Sequence, residues 1–165
     1  MNALKDEKEY VSPIRSFDFY LDGYQKLIKK VKLKNELNQL QTIIKQEIQP
    51  SLKDLLEITT YDALVVTNHE KEILWTNNGF REMTGYSTNF VIGKNPKFLH
   101  GSNTSKATLL KMREELKRKN RCTADLINYK KNGKEYWCRI DILPLYDSEN
   151  EISFYLAMER ELRAA

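Results

Sequence analysis

Apolar residues in the first third of the chain recur at helical steps. Phe17, Tyr20, Tyr24, Leu27, Ile28 and Val31 fall three and four apart and form one stripe. A second stripe follows at Leu33, Leu37, Leu40, Ile44 and Ile48. At about 100° per residue the two stripes lie nearly opposite each other. The helix therefore either breaks near Lys32 or is apolar on different faces in its two halves, and it needs more than one packing partner. The second stripe suits two arrangements, a helix folded on its own domain or a coiled-coil seam with a second chain. Ser12-Pro13 or Ser16 is placed to begin the helix, and the charged residues 1–12 are expected to fray. Pro50 is expected to end it, and Ser51-Leu-Lys-Asp54 reads as the cap of a short successor through about Ile58.

The period then changes. Residues 63–67 and 73–76 are short β-rich runs separated by the turn Asn68-His-Glu-Lys71. Asn77 is a candidate cap for a helix carrying Phe80 and Met83, with Gly85 as its stop. A small helix over 87–92 ends at Gly93, and Thr104 is expected to cap a longer basic helix reaching Lys119. Residues 122–129 and 135–144 read as two strands joined by Lys130-Lys-Asn-Gly133, an Asn-Gly hairpin signal. A last strand covers about 152–159. Alternation puts Cys122, Ala124, Leu126 and Asn128 on one face of its strand, with Thr123, Asp125 and Tyr129 on the other. It also separates Ile152, Phe154, Leu156 and Met158 from Ser153, Tyr155, Ala157 and Glu159.

Composition adds bounds. The chain has 165 residues, enough for one domain plus an appendage, and its net charge of +4 is too small to argue for nucleic acid. Lys26, Lys29, Lys30, Lys32 and Lys34 scatter around their helix, as a solvated surface does. No bilayer-length apolar run or signal-peptide core is visible, so a cytoplasmic location is expected, with no membrane contact. Cys122 and Cys138 lack metal-ligand spacing and read as reduced structural thiols. His69 and His100 lie in unrelated segments. No nucleophile–base pair, phosphate-cradling glycine loop or metal-ligand set stands out, so neither an enzyme nor a metal site is expected.

The stretch Gly93-Lys-Asn-Pro-Lys-Phe-Leu-His-Gly101 organises the rest. With Met83-Thr-Gly-Tyr86 and Leu126-Ile-Asn-Tyr-Lys-Lys-Asn-Gly-Lys-Glu-Tyr-Trp137, it resembles the LOV (light, oxygen, voltage) branch of the PAS family. The resemblance covers about residues 58–160. It also extends to a cysteine-less PAS group common in bacterial sensor kinases, which reads Asn/Ser-Pro-Lys here and ends its last strand as Glu159-Arg160 does. The resemblance implies an α+β fold, a five-stranded antiparallel sheet with helices on one face. Residues 1–57 would be an N-terminal helical extension, with a possible dimerisation role, and 58–162 the PAS domain.

The same resemblance implies a cavity that in LOV domains holds flavin (FMN or FAD). Asn95 matches the asparagine before the family's photoactive cysteine, and Pro96 stands where that cysteine would be. Asn128 matches the first of two asparagines on the flavin's pyrimidine edge, and Cys138 replaces the second. Arg113 matches one of two phosphate-binding arginines, and Lys97 replaces the other, keeping charge but losing the fork geometry. Glu159 replaces the glutamine at the flavin ring, and only a protonated carboxyl could donate as that amide does. The departures argue against a bound cofactor and against adduct photochemistry. A cytoplasmic sensory and signal-transduction module acting by protein–protein interaction is expected, with a cysteine-less flavin sensor of blue light or redox state as the alternative. PAS registration turns Tyr155, Ala157 and Glu159 inward. That leaves Ile152, Phe154, Leu156 and Met158, joined by Trp137 and Leu143, as an outer apolar interaction surface. The N-terminal stripes, a second copy, or both should cover it. A homodimer and a signalling partner acting in trans are expected.

Overall fold

In the computed structural model, which describes residues 13–162, α1 is one uninterrupted helix, Pro13–Ile44. The two stripes are therefore two faces of a single rod. The rod stops at Ile44, where Lys45 turns into the left-handed region at φ 51°, and not at Pro50. Pro50 instead opens α2 (Pro50–Ile58), where its missing N–H costs nothing. Gln49 takes the cap position without a side-chain hydrogen bond, so the expected Ser51 cap does not form. The expectation for residues 1–12 lies outside the described residues.

Five strands follow: β1 (Ala63–Asn68), β2 (Ile73–Thr76), β3 (Cys122–Tyr129), β4 (Glu135–Tyr146) and β5 (Ile152–Leu162). They form one antiparallel sheet in the order β2-β1-β5-β4-β3. Between β2 and β3 lie α3 (Asn78–Thr84), α4 (Thr88–Val91), a 3-10 turn at Pro96–Leu99, and α5 (Lys106–Lys117). Asn77 caps α3 by accepting from the Phe80 amide at 3.1 Å, and Gly85 ends it at φ 79°. The cap of α5 is Ser105, which accepts from the Thr108 amide, and not Thr104. The Thr104 hydroxyl donates to the Ile127 carbonyl at 2.6 Å and accepts from the Gly101 amide at 2.9 Å. It ties the loop to β3 and is unavailable to the helix. Gly101 lies flat against the Tyr129 ring, where any Cβ would collide.

The sheet separates two cores. On its inner face Val65, Leu126, Ile140 and Cys138 pack with Phe80, Met83, Val91, Leu99, Met112 and Leu116 from the helices. On its outer face Leu64, Val66, Leu156 and Met158 pack against Leu40, Ile44 and Ile48 of the N-terminal segment and Leu56 of α2. Leu56, Leu64 and Leu156 are fully buried. Each such side chain contributes about 1.5–3 kcal/mol relative to exposure. Among the residues read as an outer surface, Leu156, Met158, Phe154 and Leu143 lie in or against this second core. Ile152 is half-buried, and Trp137 stays 53% exposed. The second stripe of α1 thus folds onto its own sheet.

Candidate ligand site and helix latch

Inward-facing residues of β1, β4 and β5 and the facing side of α5 leave a cavity of about 440 Å³, within the size range of small-molecule sites. Its apolar wall includes Val65, Leu126, Ile142, Ala157 and Leu109. Asn95, Pro96, Lys97, Arg113 and Glu159 all line it. Asn128 and Cys138 are not part of the wall. Asn128 is 1% exposed beside its cross-strand neighbour Tyr136, and its Oδ1 has no protein partner among the described residues. The Cys138 thiol is buried, points toward the Arg139 carbonyl, and is pushed far up by desolvation and then by the charge of Glu159. It is a poor nucleophile.

Two further wall residues, Lys71 and His100, escaped sequence reasoning. Lys71 sits in the β1–β2 turn at φ 68° and joins Lys97 and Arg113 at the cavity. Burial lowers its pKa, and the charges of Arg113, Lys97 and Lys117 lower it further. None of Lys71, Lys97 and Arg113 forms an ion pair among the described residues. The His100 imidazole is likewise pushed down, by burial and by Lys97. The arrangement favours a ligand with an apolar body and an anionic group. Of the six residues that the resemblance assigns to flavin, Asn95, Lys97, Arg113 and Glu159 line this cavity, whereas Asn128 and Cys138 do not.

Glu159 is the chemical oddity of the site. It is 4% exposed, its Oε2 has no protein partner among the described residues, and burial lifts its pKa from 4.5 to about 7. Near neutral pH it is poised between a donor and an acceptor. Between its unfolded and folded pKa values the native chain keeps a proton that the unfolded chain has lost. Stability therefore falls as pH rises through that window and stays reduced above it, by about 3 kcal/mol. Glu159→Gln is expected to remove this fall. Chemical denaturation from about pH 5 to about pH 8 should show a steeper downward trend in the parent than in the variant. Parallel curves would mean that the carboxyl titrates normally. The comparison isolates Glu159 from His100, which both proteins retain.

A second polar cluster joins α1 to the sheet. Glu36, 5% exposed, accepts from Asn77 Nδ2 at 2.7 Å and from the Tyr61 hydroxyl at 2.8 Å. Asn77 Oδ1 accepts from the Leu64 amide at 2.9 Å as well as from Phe80. Burial, then the Glu36 hydrogen bond, raises the Tyr61 pKa. One residue apart in β5, Met158 faces the helices and Glu159 the cavity, so a single strand touches both sites. Among the described residues no three His, Cys, Asp or Glu side chains are placed to hold a metal ion. No helix among them is long and apolar enough to cross a membrane.

Comparison with known proteins agrees with this architecture. Phototropin-2 of Oryza sativa subsp. japonica is 29% identical over 119 residues, 72% of this chain and 13% of that one. A blue-light photoreceptor of Listeria innocua is 30% identical over 103 residues, 61% of this chain and 40% of its own. The chain thus spans well under half the length of these curated relatives. The dark structure of the Aureochrome1 LOV photoreceptor superposes with TM-score 0.64 at 25% identity, covering 72% of this chain and 87% of that one. A LOV structure described with a flavin analogue gives 0.62 at 29% identity, covering 68% and 85%. The family model described as "PAS domain" matches residues 62–163, most of the chain, which belongs to the PAS family.

Proposed function

We propose that this PAS sensory domain reads the occupant of its cavity and reports it through the α1–α2 cover to a signalling protein acting in trans. The observation that carries the reading is the placement of β5. Glu159 and Ala157 line the cavity, while Leu156 and Met158 on the alternate face hold the helices. A ligand that changes the protonation or hydrogen bonding of Glu159 moves the strand on which the cover rests. The outer sheet face and its helices are then the interaction surface, and Pro96 rules out a cysteine adduct at that position.

A second reading is a flavin sensor of blue light or redox state that works without the adduct. Four of the six residues carried over by resemblance line one cavity, and the relatives include blue-light photoreceptors. When bound, a flavin would supply light absorption and electron acceptance. Lys97 and Arg113 would hold its anionic group, and Glu159 would lie at its ring.

The absorbance spectrum of the whole chain purified from cells decides between them. Structured blue absorption at near-equal stoichiometry, with flavin released on heating, supports the second reading. A colourless chain that stays colourless with added FMN or FAD excludes flavin. Native mass spectrometry then looks for another small anion. The first reading expects one, and expects its removal to change hydrogen exchange in α1 and α2. An empty cavity, or helices that do not respond, would refute it.

A further inference from the structure

Among the described residues, the apolar stripe on the first half of α1 belongs to neither core. Tyr20 is 78% exposed, Tyr24 62%, Leu27 58%, Val31 53% and Ile28 50%, and Leu21 is exposed beside them. These side chains cover an arc of about 120°. The face lies opposite the one that Leu33, Leu37, Leu40 and Ile44 press toward the sheet. An apolar stripe over several turns is rarely left in water.

We infer that this stripe pairs with the same stripe of a second copy, with the two helices antiparallel about Tyr24. Charge selects both the occupant and the direction. One flank of the stripe carries Asp18, Gln25 and Lys32, and the other carries Gly23, Lys30 and Lys34. Parallel pairing would set Lys32 of one copy against Lys30 and Lys34 of the other. A twofold axis across the helices instead brings each flank against itself in reverse order. Asp18 then comes near Lys32 twice, Gln25 near Gln25, and the second flank's lysines come opposite the stretch around Ser16, which carries no charge on that flank. Tyr20 comes opposite Ile28 and Leu21 opposite Leu27, with Tyr24 against its own copy. The opposed helix dipoles also attract. Gly23 fits the same axis. A Cβ built there meets nothing within 4 Å among the described residues, so no crowding among them calls for glycine, and its bare backbone beside Tyr24 lets two helices approach. The docked half of α1 remains on the sheet, so, on the function proposed above, the dimer joins directly to the cover that reports the cavity.

Sedimentation equilibrium of the whole chain tests the pairing. A reversible dimer is expected, and a single-chain mass at all concentrations would overturn it. It would equally do so if the stripe proved shielded in that monomer. Asp18→Lys should raise the dissociation constant about fivefold, because two bridges are lost, while Lys32, which also lies 4.0 Å from the buried Glu36, is left in place. Orientation is read from disulfides. A mixture of Tyr20→Cys and Ile28→Cys chains should cross-link mainly between the two variants, since Cys122 and Cys138 are buried. Same-variant cross-links only would mean parallel helices and refute the proposal. Circular dichroism of each variant confirms that α1 is still formed.

Discussion

Leu156→Asp is expected to release α1 and α2 from the sheet. Leu156 is fully buried in the outer cluster with Leu64, Val66 and apolar residues of the two helices. A carboxylate there must either stay protonated or find water, and the shortest route to water is for the helices to lift. The combined loss of apolar burial and gain of an unsatisfied acid exceeds about 4 kcal/mol. Amide exchange over residues 33–58 should then accelerate about a thousandfold. The inner core, which Leu156 does not touch, should lose less protection. Trp137→Asp is the contrast. At 53% exposure and outside the outer cluster, it should change stability by no more than about 0.5 kcal/mol. Equal collapse of both faces after Leu156→Asp would mean that the two cores unfold together and that the cover cannot act as a separate moving part.

That contrast also marks what was legible in the sequence. The period-two pattern of β5 separated Leu156 and Met158 from Ala157 and Glu159 before any fold was known, because a strand has only two faces. The opposition of the two α1 stripes was equally plain, since it needs only the helical period. Trp137 was misplaced with the covered residues because alternation gives the face of a side chain but not how far along the strand the cover extends. Thr104 and Ser105 are both good caps, and the choice between them was made by the reach of Thr104 to β3, a contact across the fold. In the site, Asn95, Lys97, Arg113 and Glu159 were found by resemblance, while Lys71 was not, because only the curl of the β1–β2 turn brings it to the cavity. Glu36 carried a signal that went unread. It falls on the docking face of α1 between Leu33 and Leu40, where a charged residue calls for buried partners.

Those partners make Asn77→Ala the second severe substitution. Asn77 is 4% exposed, and its side chain makes three hydrogen bonds. It accepts from the Leu64 and Phe80 amides and donates to Glu36. Losing the Phe80 bond removes the cap of α3, about 1 kcal/mol. Losing the other two strands a buried amide of β1 and removes one of the two hydrogen bonds to a buried carboxylate, about 1–3 kcal/mol each. The total is on the order of 4 kcal/mol, and the three terms are coupled through one side chain. Asn77→Asp separates them. It keeps an oxygen for both amides, and so keeps the cap, but sets a second carboxylate against Glu36. Asn77→Asp should therefore keep α3 protected in hydrogen exchange while loosening α1, and Glu36→Gln in the same chain should restore the helix by removing the like charge. If Asn77→Asp left α1 as protected as in the parent, the Glu36 bond would be incidental to docking. The apolar contacts of Leu40, Ile44 and Leu56 would then hold the cover alone.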